Sequence, residues 1–107
     1  MRRLIIAVLS LGFASCALAQ APLESCARVP ELAADVMRSR QVNYDIMLMI
    51  NRMSSELAEH AELQSWSEAM IEMAYAQPIA TTPEARTLQV EAFQTLWQER
   101  CESKMPQ

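Results

Sequence analysis

Residues 82–101 read Thr-Pro-Glu-Ala-Arg-Thr-Leu-Gln-Val-Glu-Ala-Phe-Gln-Thr-Leu-Trp-Gln-Glu-Arg-Cys, and this stretch decides the fold class. Thr82 can cap a helix, Pro83 is tolerated in a first turn where its missing N–H costs nothing, and Glu84 faces the positive end of the helix dipole. From there Val90, Phe93, Leu96, Trp97 and Cys101 recur at helical spacing and form one apolar face. The stretch therefore predicts a helix running to about Glu102, with Cys101 turned toward a core.

Working upstream, Gln77 to Thr81 reads as a short connector, because a helix must stop before Pro78. Ser65-Trp66-Ser67-Glu68 matches a capping box and predicts a helix starting at Trp66, with Trp66, Ala69, Met70, Met73 and Ala74 as its apolar face. Asn43 is the candidate cap of a helix with the stripe Ile46, Met49, Ile50, Met53 and Leu57, ending between His60 and Leu63. A first helix is expected from near Pro30 to about Arg40, burying Val29, Leu32, Ala33, Val36 and Met37. Arg38 and Arg40 suit its negative C-terminal end, and Asp35 can pair with Arg38.

The chain has 107 residues, is 51% hydrophobic and 21% charged, and carries a net charge of −4, which are ordinary globular values and allow one domain at most. Its single glycine is Gly12, so everything after it lacks the Gly-rich loop that would wrap a phosphate. Ala, Glu, Gln, Met, Leu and Arg dominate instead, all good helix formers.

Residues 1–19 read as a cleavable signal peptide. Arg2 and Arg3 supply the positive start, Leu4 to Ala14 the apolar run, and Ala17-Leu18-Ala19 the small-x-small site, with cleavage after Ala19. The run is short of the ~20 residues a membrane-spanning helix needs, and nothing later is longer. Phe13-Ala14-Ser15-Cys16 also looks like a lipobox, so a lipid anchor through Cys16 is the alternative. Phe13 is unusual there, and the downstream site competes with it. Without residues 1–19 the single domain is 20–107, with seven cations against 13 acids and net charge −6. Nucleic acids and anionic membranes need clustered cations, so both are disfavoured as partners.

Two cysteines remain, Cys26 and Cys101, near the two ends of a chain addressed to an oxidising compartment, and a disulfide is the natural reading. Redox pairs usually sit closer together, and one histidine cannot complete a zinc set with them. Up-and-down bundling would put the start of the first helix beside the end of the fourth, where this bond needs them; orthogonal packing is the other arrangement open to four short-linked helices.

Few residues carry chemistry. Met49 and Met53 with His60 form a candidate copper set, since thioether sulfur binds Cu(I) well, but adaptable methionines also fill small cores. Tyr44 and Leu48 lie one turn apart on the face of the second helix opposite its main stripe, and Tyr75 sits at the edge of the third; the three are candidate partner-binding residues. Glu56, Glu59, Glu62, Glu68 and Glu72 read as a solvated face. With one histidine, placed on an apolar stripe, and no free thiol once the disulfide forms, no catalytic constellation and no cofactor are expected.

The early cysteine, the Leu32 to Gln41 stretch, Ala74-Tyr75-x-x-Pro78 and the closing cysteine together resemble small exported bacterial helical proteins of unknown function with a terminal cysteine pair. The resemblance implies an exported, stapled helical domain, an architecture shared with periplasmic inhibitors, immunity proteins and chaperones. The leading expectation is a non-enzymatic interaction module, periplasmic or secreted by Sec-type export, that meets another envelope or secreted protein or a second copy of itself. A copper-binding protein using Met49, Met53 and His60 and a lipid-anchored envelope protein are the alternatives.

Overall fold

A computed structural model describes residues 21–104; the expected leader, the cleavage expected after Ala19 and the Cys16 alternative lie outside them. Four helices follow one another, α1 Ala21–Gln41, α2 Ile46–Glu56, α3 Ala61–Tyr75 and α4 Pro83–Ser103, with no strand among the described residues. Their directions alternate. Cys26 near the start of α1 is bonded to Cys101 at the end of α4, Cα to Cα 5.7 Å. At the other end, Gln41 of α1 donates to Pro78 O and accepts from Ala80 N in the segment leading into α4. The Tyr75 hydroxyl at the end of α3 likewise reaches Tyr44 O just before α2. The four-helix, disulfide-stapled all-α domain is as expected, in its up-and-down form.

Helix α1 is the hub: it packs against α4 and α3 and more lightly against α2, while α2 lies on α3. Val29, Ala33, Val36 and Met37 are buried on it, meeting Phe93, Trp97 and Cys101 of α4 and Leu63, Met70, Ile71 and Ala74 of α3. Small Ala33 lets neighbouring backbones approach, and long unbranched Met37, Met49, Met53 and Met70 fill the gaps between unequal helices. Each methionine so buried contributes about 1.5–3 kcal/mol of transfer free energy.

Several boundaries differ from expectation. Helix α1 begins at Ala21 rather than near Pro30, which sits inside it. An interior proline costs ~3 kcal/mol by removing one backbone bond and crowding the carbonyl four residues back. Burial of Val29 and the covalent hold at Cys26 offset this and keep the preceding turns helical. Asn43 does not cap α2. It ends α1 instead, with φ 61°, Asn43 N donating to Arg40 O and Tyr44 N to Ser39 O, both at 2.9 Å. This is the Schellman pattern, which wants glycine at the left-handed position. A chain with no glycine after Gly12 uses asparagine, the side chain that best tolerates that conformation. The cap passes to Asp45, whose Oδ2 accepts from Met47 N and Leu48 N at 3.0 and 3.1 Å.

Helix α2 stops at Glu56 instead of reaching His60 or beyond, and α3 starts at Ala61 instead of Trp66. Leu57 and Leu63 are both buried, yet six residues apart on one continuous helix they would point about 120° away from each other. The turn at 57–60 lets both face inward. It leaves Ser65 inside a helix already begun, so the capping box is unused, and the buried stripe becomes Leu63, Ser67, Met70, Ile71 and Ala74. Trp66 and Met73 are half-buried and Ala69 is exposed. On α2 Met49 and Met53 are buried, as is Leu57 just after it, while Ile46 is 39% exposed. Only α4 starts as read: Thr82 Oγ1 accepts from Ala85 N at 3.1 Å, with Pro83 as the first helical residue.

Candidate functional site

The three residues singled out as a partner-binding set divide between two roles. Tyr44 lies in the turn before α2, not on it, and is half-buried, while Leu48 is 54% exposed. Tyr75 is half-buried at the end of α3 and donates to Tyr44 O at 2.7 Å, with the Arg40 guanidinium 5.4 Å above its ring. Arg52 stands 5.6 Å over the Tyr44 ring and is held there by Asp35, whose two carboxylate oxygens it meets at 3.2 and 3.4 Å, and by Ser39 Oγ at 3.3 Å. Asp35 thus pairs across to α2 rather than with Arg38, which is exposed. The two tyrosines hold the corner together and keep only part of their surface in solvent.

What the corner presents is apolar. Val42 is 71% exposed, Met47 58% and Leu48 54%, with Ile46 beside them, all within seven residues. Exposed Arg38, Asp45 and Asn51 flank this group along the sequence. The Schellman turn, the Asp45 cap and the Tyr75 bond leave few backbone groups here free to rearrange, so the apolar side chains are displayed on a rigid corner. Leu48 is legible in the sequence as an apolar residue off the main stripe, whereas Ile46 falls on the stripe and Val42 lies between the expected helices.

Burial raises the Tyr75 hydroxyl above its ordinary value, Asp45 and Tyr44 add to the rise, and Arg40 works against it. The folded state therefore favours the neutral phenol. Its contribution is complete below the unfolded value of about 10 and is lost as pH rises through the higher folded value. Tyr75→Phe should cost about 1 kcal/mol at neutral pH by removing the bond to Tyr44. Urea midpoints followed from about pH 9 to about pH 11.5 should fall more steeply in the wild type than in Tyr75→Phe; parallel curves would show that the fold does not hold this hydroxyl neutral.

The candidate copper ligands are placed apart by burial. Met49 and Met53 are in the core, 0% and 1% exposed, and the Met49 sulfur accepts from Arg52 Nη2 at 3.4 Å, so a cation already faces it. His60 is exposed in the turn before α3 rather than on an apolar stripe, since α2 ends short of it. Among the described residues no three His, Cys, Asp or Glu side chains gather as a metal set. Glu56, Glu59, Glu62, Glu68 and Glu72 are all exposed, as a solvated face should be.

A second feature lies at the opposite end of the bundle, between the start of α3 and the end of α4. These two helices pack on separate flanks of α1 and meet through Trp66 and Trp97, edge to face with ring centroids 5.6 Å apart. Outside that contact is an open groove of about 480 Å³, with Trp66, Trp97 and Ala69 as its apolar lining, Ser65 beside them, and Glu62, Arg100 and Lys104 at its edge. The Arg100 guanidinium lies 4.9 Å over the Trp97 ring. Sequence reading assigned both tryptophans to core faces. The groove lies where α3 and α4 both pack on α1 and touch each other little, a pairing that neither helix's own pattern encodes.

No protein-family model, curated protein or solved structure matches the chain.

Proposed function

We propose that this chain is a non-enzymatic interaction module of an exported protein, stapled for life outside the reducing cytoplasm, that engages a partner protein through the corner between α1 and α2. The observation that carries this reading is the exposure of Val42 in the turn after α1 and of Ile46, Met47 and Leu48 at the start of α2, while Met49 and Met53 of the same short helix are buried. A core this small gains about 1.5–3 kcal/mol for each large apolar side chain it covers, so leaving several in water on an ordered corner calls for a second surface to cover them. The Cys26–Cys101 bond supports the address, because such bonds persist in oxidising compartments. Among the described residues no helix is long and apolar enough to cross a membrane.

The test is a photo-crosslinking side chain at position 48 in the full-length protein, expressed in its own host. It should give one discrete adduct, with an exported protein or a second copy of this chain. That adduct should vanish when Val42 and Met47 are changed to glutamate, while the far-ultraviolet circular dichroism stays unchanged. A crosslinking pattern indifferent to those two charges would end the proposal.

A further inference from the structure

We infer that the groove between α3 and α4 is a second binding site, distinct from the α1–α2 corner, for an acidic peptide segment that carries a large apolar or aromatic side chain next to its carboxylates. Its apolar lining comes from Trp66 and Trp97, and exposed Ala69 leaves space where a larger residue would fill it. At about 480 Å³ the space accommodates a bulky side chain with its neighbouring backbone.

Charge selects the occupant. After residues 1–19 the chain carries seven cations against 13 acids, and two of the seven, Arg100 and Lys104, stand at the edge of this groove against one carboxylate, Glu62. The only ion pairs among the described residues join Arg52 to Asp35 and to Glu56, so neither edge cation is neutralised there. Cations at a helix C-terminus complement its dipole, which accounts for their presence in or next to the last turn. Arg100 is also three residues after Trp97 on the same side of α4, which brings its guanidinium 4.9 Å over that ring. Stacked in that way, a guanidinium has its apolar face covered and keeps its N–H edge for an oxygen acceptor, the geometry that suits a planar carboxylate. Among the described residues its side chain donates no hydrogen bond. The disulfide sits beside this site: Cys101 lies between Arg100 and Lys104 and ties the end of α4 to α1.

A peptide suits the groove better than a small free acid. A small-molecule site encloses most of its ligand, whereas this groove is open along one side and covers only one face of an occupant. An extended segment can seat its side chain between the helices and run its carboxylates past Arg100 and Lys104, leaving its other face in water.

The chain contains two tryptophans and both line the groove, so intrinsic fluorescence reads the site directly. The probe is the acetylated tripeptide phenylalanyl-glutamyl-glutamate, titrated into the full-length oxidised protein, with the amidated phenylalanyl-glutaminyl-glutamine peptide and N-acetylphenylalanine as comparisons. The acidic peptide should shift the emission saturably and more weakly as salt rises, and the neutral peptide should bind about tenfold less well or worse. Arg100→Gln combined with Lys104→Gln should weaken the acidic peptide by a similar factor. Both residues are exposed, so the circular dichroism should not change. Met47→Glu with Leu48→Glu should leave peptide binding intact, which separates this site from the corner. The inference is overturned by any of three results: no saturable shift, binding indifferent to the double glutamine change, or N-acetylphenylalanine binding as tightly as the tripeptide.

Discussion

Cys101→Ser should destabilise the domain by about 4 kcal/mol. The bond joins residues 75 apart, so removing it restores nearly the whole loop-closure entropy of the chain to the unfolded state. A single domain of this size has only about 5–15 kcal/mol of net stability, and the smallest cores lie at the low end. The loss should therefore be visible as partial unfolding near physiological temperature. Thermal melts of the oxidised wild type, the same protein in reductant and Cys101→Ser would measure it, with the latter two melting together well below the first. The structure adds a local consequence. Cys26 is on the turn that precedes Pro30, where the helix lacks one backbone bond, so loss of the bond should release residues 21–29 before the rest. Hydrogen exchange would locate that loss. A reduced protein as stable as the oxidised one would show that packing alone holds α1 to α4.

The second large effect is expected at Trp97. It is 3% exposed, with Trp66 and Phe93 edge-on at centroid distances of 5.6 and 6.0 Å, and it joins α4 to both the core and α3. Trp97→Ala should cost ~3–5 kcal/mol, the sum of lost transfer energy and the cavity left behind. Trp97→Phe should cost much less. The indole Nε1 is buried and has no hydrogen-bond partner among the described residues, a desolvation penalty that phenylalanine removes along with some volume. Urea titrations followed by circular dichroism would give both values. Equal losses for Ala and Phe would mean that the ring's volume is not what the site requires.

Much of the fold is legible without coordinates, and the particular residues explain where legibility ends. Thr82 and Pro83 act on backbone groups within three residues of themselves, so their reading as a helix start transfers directly into the structure. Ser65 and Glu68 carry an equally good local signal, yet it is overridden because starting α3 at Ala61 buries Leu63. Asn43 reads as the cap of a helix start, yet asparagine suits two places, a helix start and a helix end. The absence of glycine after Gly12 tips it to the second, a reason visible in the composition but decisive only once α1 is known to end there. Of the partner residues, Leu48 was legible as an apolar side chain off the main stripe. Tyr44 and Tyr75 were not legible as a pair, since the bond between them spans 31 residues.

By itself the sequence determined what depends on neighbours along the chain: an all-helical domain, the start of α4, the stop before Pro78, and, from the positions of the cysteines, the expected staple between Cys26 and Cys101. Tertiary structure alone decided which turns were worth forming against local preference, such as residues 21–29 ahead of Pro30. It also decided which apolar side chains stayed outside, and that α3 and α4 meet beside α1 through Trp66 and Trp97 with a groove outside that contact. The division has one physical origin. Caps and turns are settled by hydrogen bonds between residues a few positions apart, whereas burial is shared among helices, and the larger burial term wins wherever the two disagree.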